Sequence, residues 1–187
     1  MLFGIFKKPK PDGLVALSAK ELLAPYNLLL EQIQQHVAVP ETHWQAVYLQ
    51  FIDNFARQVQ LLPASESHHH SSAGGLLTHS LEVGLNALKF RKSKMLPLGG
   101  AAEVIEEQKE LWSYAIFTAA MLHDIGKPLT DQIITILDGK TEKAWQPLTE
   151  TLSVGTVYKI SFRRGRNIVL MKISRFYWQQ RLYPHQA

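Results

Sequence analysis

Two histidine segments about forty residues apart constrain the fold of this chain more than any other feature. The first runs His68-His69-His70-Ser-Ser-Ala-Gly74-Gly75-Leu-Leu-Thr-His79-Ser-Leu-Glu82-Val83, the second Ala-Ala-Met-Leu-His123-Asp124-Ile-Gly126-Lys127. His79 lies near the start of one apolar helical pattern, and His123-Asp124 closes another. Neighbours on a regular helix point about 100° apart, so both residues of the pair reach one ion only where a helix ends. Gly126 supplies that ending. The metal-ligand set expected is therefore His79, His123 and Asp124. Two imidazoles and a carboxylate suit Mn, Fe, Co, Ni or Zn better than Mg. Such an ion polarises a phosphoryl oxygen. Lys127, one turn beyond Asp124, is placed to meet a phosphate. His70 is the expected catalytic partner beside it, and His68 and His69 are candidates for a further ligand or proton shuttle, since imidazole serves either purpose.

Composition limits the setting. At 187 residues, 46% hydrophobic and 19% charged, the chain is an ordinary globular one with room for a sizeable core. It has no cysteine, so a metal site must use nitrogen and oxygen ligands, and a reducing cytoplasm is the expected location. No apolar run approaches the roughly 20 residues of a membrane helix. The start, Met1-Leu-Phe-Gly-Ile-Phe-Lys7-Lys8, puts its charges after a short apolar stretch, the reverse of a signal peptide. The net charge of +4 is uneven: the last acid is Glu150, yet seven of the twenty Lys and Arg residues follow it. Five of those, Arg163, Arg164, Arg166, Lys172 and Arg175, form a basic stretch suited to a polyphosphate backbone, which makes DNA the expected partner. The rival reading is a solvated hairpin edge.

Periodicity predicts the elements. Ser18 with Glu21 forms a capping box, and its short helix stops before Pro25. Helices follow over 27–37, 41–62, 76–92 and 103–122, each with its apolar residues at helical spacing. Trp44, Tyr48, Phe51 and Phe55 read as core. After Lys127-Pro128 the pattern turns strand-like: Ile133 to Leu137 before Asp138-Gly139 is a hairpin signal, and Val154 to Phe162 with Ile168 to Ile173 predicts a second one. The expected fold is mainly α, an HD-domain-like helical bundle with a small antiparallel β appendage in the C-terminal third. Its expected organisation is a flexible leader over 1–13, the helical domain over 14–130 and a basic hairpin-rich segment over 131–187.

These motifs resemble the HD-domain metal-dependent phosphohydrolase superfamily. The phrase His69-His-Ser-Ser-Ala-Gly-Gly-Leu-Leu-Thr-His79 is similar to its 3′–5′ exoribonuclease branch. The likeness is closer to the MobH-type relaxases of integrating conjugative elements, which also carry the label of helicases. It runs through Leu22-Leu-Ala-Pro, Leu29-Leu-Glu-Gln-Ile33, Gln60-Leu-Leu-Pro-Ala-Ser-Glu66, the histidine segments and Trp145-Gln-Pro, most of residues 1–150. The resemblance implies DNA processing at a transfer origin during conjugation, with other conjugation proteins as partners and His79, His123 and Asp124 as metal ligands. It also implies a late Asp as a further ligand. No carboxylate follows Glu150, which leaves Asp131 and Asp138 as alternatives, and the sequence after Gly165-Arg166 departs from the family, as a fragment or truncated gene would. Three readings follow: a relaxase-like hydrolase, a general HD nucleotidase or exonuclease, and a non-catalytic DNA-binding or assembly module with an incomplete site. No Gly-x-x-x-x-Gly-Lys-Ser/Thr loop is present, so ATP-driven strand separation is not expected of this chain.

Overall fold

The computed structural model describes residues 13–163 apart from His68 and Leu148. The fold is mainly helical with a small antiparallel sheet, as the periodicity predicts. Its elements in chain order are β1 (Leu14–Val15), α1 (Ala19–Leu23), a 3-10 turn (Ala24–Tyr26), α2 (Asn27–Val37), α3 (Glu41–His43), a wide π-type stretch (Trp44–Leu49) and α4 (Gln50–Val59). Then come α5 (Gly75–Lys92), α6 (Ala102–Met121), α7 (Lys127–Thr130), β2 (Gln132–Asp138), β3 (Thr141–Ala144) and β4 (Val157–Phe162).

Local chemistry accounts for most of the boundaries. The Ser18 hydroxyl accepts from the Glu21 amide at 3.3 Å, and the Glu21 carboxylate accepts from the Ser18 amide at 2.9 Å, so the capping box opens α1 as expected. Pro25 then tightens the chain into a 3-10 turn. The helix expected over 41–62 departs from the prediction twice. Its first half widens over Trp44–Leu49, and α4 stops at Val59 because Gln60 takes a positive φ of 46°. The widened turn has a packing partner. It sets Tyr48 against Trp44, Tyr114 and Phe117, with ring centroids 5.1–5.9 Å apart. Aromatic packing of this kind is worth about 0.5–1.5 kcal/mol per pair beyond area burial, enough to fix a local distortion.

The core is one cluster, running from Leu22, Tyr26 and Ile33 through Phe51, Ile52 and Phe55 to Leu76, Leu81 and Phe117. Helices α5 and α6 pack closely at Gly84, where an added Cβ would stand 2.8 Å from Phe117 Cε2 and 3.1 Å from Met121 Sδ.

The sheet has the order β1-β4-β2-β3, all pairs antiparallel. The predicted hairpin at Asp138-Gly139 is present, with Asp138 opposite Thr141. β4 pairs with β2 from Gln132–Phe162 to Leu137–Val157 and with β1 on its other edge. Its expected partner over 168–173 lies outside the described residues, as do residues 1–12 of the leader expected over 1–13 and Arg164, Arg166, Lys172 and Arg175 of the basic stretch. None of the described helices is long and apolar enough to cross a membrane.

Gly84→Ala is expected to lower stability by about 1–3 kcal/mol through overpacking, read from the urea midpoint at unchanged m-value.

Candidate metal centre

The site is assembled by a buried irregular segment, Gln60 to Ala64, whose backbone must find partners because water cannot reach it. The Leu61 amide donates to the Tyr158 hydroxyl at 3.2 Å, and the Leu61 and Leu62 carbonyls accept from Gly74 and Leu76 at 2.9 Å. Pro63 O accepts from the Gln132 amide group at 2.7 Å, and Ala64 O accepts from Lys127 Nζ at 2.7 Å. The Ala64 amide donates to His70 O at 2.9 Å. One short segment thus ties together the sheet, the start of α5 and the start of α7.

Gly74 and Gly75 make the approach possible. Gly74 takes a φ of 76°, open to glycine at no steric cost. Gly75 has a different constraint: a Cβ there would collide with the His70 carbonyl, 2.7 Å from its carbon. His70 itself adopts a φ of 60°, so this turn holds its side chain in a set place.

His79 projects from the first turns of α5, and His123 and Asp124 lie in the turn just past the end of α6. The three meet. His79 Nε2 is 3.1 Å from His123 Nε2 and 3.5 Å from Asp124 Oδ2, and His123 Nε2 is 3.2 Å from the same oxygen. Bonds of about 2.1 Å to one ion put neighbouring ligand atoms about 3.0–3.4 Å apart, so these spacings fit the edges of a coordination polyhedron. The second nitrogen of His123, Nδ1, lies 2.7 Å from Ala120 O. A carbonyl only accepts, so Nδ1 carries the proton in that bond; the charged ring donates to Asp124 through Nε2, and the neutral ring offers its lone pair there. Lys127 Nζ stands 2.7 Å from Asp124 Oδ2.

Electrostatics follow from these contacts. Burial pushes the Asp124 carboxyl up, but hydrogen bonds from His123, His79 and Lys127 outweigh it and hold the group well below the usual carboxylate range. The hydrogen bond to Asp124 raises His123 against the effect of its own burial. Burial lowers His70, with the nearby Glu82 charge opposing.

Among the described residues, the group of potential ligands whose atoms lie within 4.8 Å of one another is His79, His123 and Asp124. Asp131 and Asp138 stand outside it. Asp131 accepts from Thr130 at 2.8 Å, and Asp138 ends a strand. His70 is close by, its ring 5.1 Å from that of His79, and its Nε2 is 3.4 Å from Glu82 Oε2. His69 is exposed, with its carbonyl accepting from Ser65, and His68 lies outside the described residues. Arg163 donates to Gln132 O at 3.0 Å, which ties it to the sheet. Glu82 was not a candidate on the sequence. Its position three residues after His79, on the same helix face, was the available signal. A separate cleft of about 450 Å³, lined by residues including Ser18, Lys20, Asp53 and Arg57, contains none of the ligand residues.

Fold and cluster together define a mainly helical protein with a His-His-Asp group that could hold a metal ion. The chain belongs to the TraI_2 family, described as "putative helicase", whose profile matches residues 13–168. No curated protein matches it.

Two outcomes are expected. Gly75→Ala displaces the His70 turn from α5, costing about 3 kcal/mol or more by differential scanning calorimetry, since the backbone and not a flexible side chain must move. His123, raised in the folded protein, contributes stability that is full below its unfolded value of about 6.5 and is lost as pH rises through the folded value. In metal-free protein the melting-temperature advantage of wild type over His123→Ala is therefore larger near about pH 5.5 than near about pH 8.5.

Proposed function

We propose that this chain is a DNA-processing protein of conjugation, an HD-type relaxase region that cleaves phosphodiesters with a divalent ion held by His79, His123 and Asp124. The observation that carries this reading is the convergence of three ligand atoms from two helices, at 3.1–3.5 Å, in a chain of the TraI_2 family. Three protein ligands are the usual number at catalytic metal sites, which keep a position open. The lack of a carboxylate beyond Glu150 therefore does not weigh against catalysis as it would for a closed structural site. The N2O donor set favours Mn, Fe, Co, Ni or Zn. When bound, the ion supplies Lewis acidity at a phosphoryl oxygen.

The chain's own residues do the rest. Asp124 stays ionised and presents Oδ2 to the cluster. The Ala120 carbonyl keeps the His123 ring in the tautomer that offers Nε2. Lys127 has three donors, of which Asp124 and Ala64 O engage two. The third serves an incoming phosphate oxygen, so the lysine orients the ligand carboxylate and receives substrate at once. With a single ion bound, His70, beside His79, acts as the proton carrier. The basic residues from Arg163 to Arg175 hold the DNA backbone in this reading. The alternatives, a general HD nucleotidase or a non-catalytic DNA-binding module, make different predictions in the same experiment.

Elemental analysis of untagged wild type and His123→Ala, followed by nicking of supercoiled plasmid, tests the proposal. The expected result is near-stoichiometric transition metal and metal-dependent nicking in wild type, with both lost in the variant. Turnover of free nucleotides without nicking would support the nucleotidase reading. No metal in wild type after incubation with Mn or Ni would overturn the hydrolase reading.

A further inference from the structure

His70 and Glu82 face each other beside the first cluster in a way that its three ligands do not require. His70 Nε2 and Glu82 Oε2 are 3.4 Å apart, longer than the usual N–H···O hydrogen bond of about 2.7–3.2 Å. The spacing instead matches the 3.1–3.5 Å that separates the ligand atoms of the first cluster. It also equals the edge of about 3.4 Å expected for two ligands on one tetrahedral ion.

Placement is deliberate on both sides. His70 is held by its own backbone, with a φ of 60°, a carbonyl bonded to the Ala64 amide at 2.9 Å, and Gly75 pressed against that carbonyl. Glu82 sits on α5 about one turn past His79 and shares its face. The ring of His70 is 5.1 Å from that of His79, which is 5.0 Å from that of His123. The result is a row of three imidazoles with a carboxylate at each end, Glu82 beside His70 and Asp124 beside His123. Lys127 lies on Asp124 at 2.7 Å, at the opposite end of the row from Glu82. Both side chains are partly open, 26% and 39% exposed, so water and substrate oxygens have access.

We propose that His70 Nε2 and Glu82 Oε2 form a second divalent-cation site next to the first. The inference rests on the reading of His79, His123 and Asp124 as a metal centre. One imidazole and one carboxylate, with water completing the shell, suit a borderline-hard ion of the Mn class. Two adjacent cations clamp both the attacking and the leaving oxygen of an in-line phosphoryl displacement, which a single ion does not.

Manganese titration of the full chain by calorimetry, with electron paramagnetic resonance of the loaded protein, tests this. The expected result is two Mn ions per wild-type chain with a spin-coupled signal. Glu82→Gln should bind one ion with an uncoupled signal, and Glu82→Asp, which keeps the carboxylate, should regain the second. A melting curve for each variant separates loss of a site from loss of fold. One ion in wild type, removed by His123→Ala, would overturn the second site and leave the first standing. No ion at all would overturn both, and two ions retained in Glu82→Gln would place the second elsewhere and overturn this assignment.

Discussion

The buried backbone of Gln60 to Ala64 is the constraint on which the rest of the structure depends. A non-helical segment inside a core must bond each of its polar groups to protein, since an orphaned amide or carbonyl costs about 1–3 kcal/mol. This one meets the requirement with partners before α1, in the sheet, around the start of α5 and at Lys127. Gln60 reaches back to the Leu17 backbone with both ends of its amide, at 2.9 and 3.0 Å. Leu61 is bonded to the sheet through Tyr158, Leu62 to the start of α5, and Ala64 to Lys127 at the start of α7. The position of the histidine cluster therefore depends on hydrogen bonds made by a segment that contains none of its members.

Much of this was legible in the residues. Helices with clear apolar spacing and clear ends, such as 27–37 with its Val37 close and 103–122 ending at His123-Asp124, are found within a residue or so of expectation. The capping box and the Asp-Gly turn were readable because each is a local device whose chemistry lies within four residues. What could not be read is non-local. The wide turn over Trp44–Leu49 exists because Tyr48 packs against Tyr114 and Phe117, more than sixty positions along the chain. The stop at Val59 depends on Gln60 bonding to Leu17, again a contact that no window of sequence contains. Strand β1 is two residues long and acquires its extended form only by pairing with β4.

The candidate site divides the same way. His79, His123 and Asp124 were identifiable because their chemistry is rare and their helix positions allow convergence. Glu82 was not, because a glutamate on a half-exposed helix face is ordinary until a neighbour such as His70 is brought to it. Lys127 changes meaning in three dimensions. Sequence spacing aims it at substrate, whereas the fold seats its ammonium between Asp124 and the Ala64 carbonyl. The same ammonium stabilises the ionised carboxylate and couples the ligand turn to the buried segment.

The antiparallel α5–α6 pair places the whole cluster at one end of a long hairpin. His79 lies near the beginning of α5 and His123 just beyond the end of α6, while the connection from Ser93 to Ala101 joins the two helices at the opposite end. The thirteen helical steps from His79 to Lys92 span about 20 Å. The Gly84 contact with Phe117 and Met121 lies between the histidine cluster and the linker. A change in the length or character of that distal tip, where Phe90, Met95 and Leu98 are exposed, therefore falls on the far side of the helix pair from the histidines.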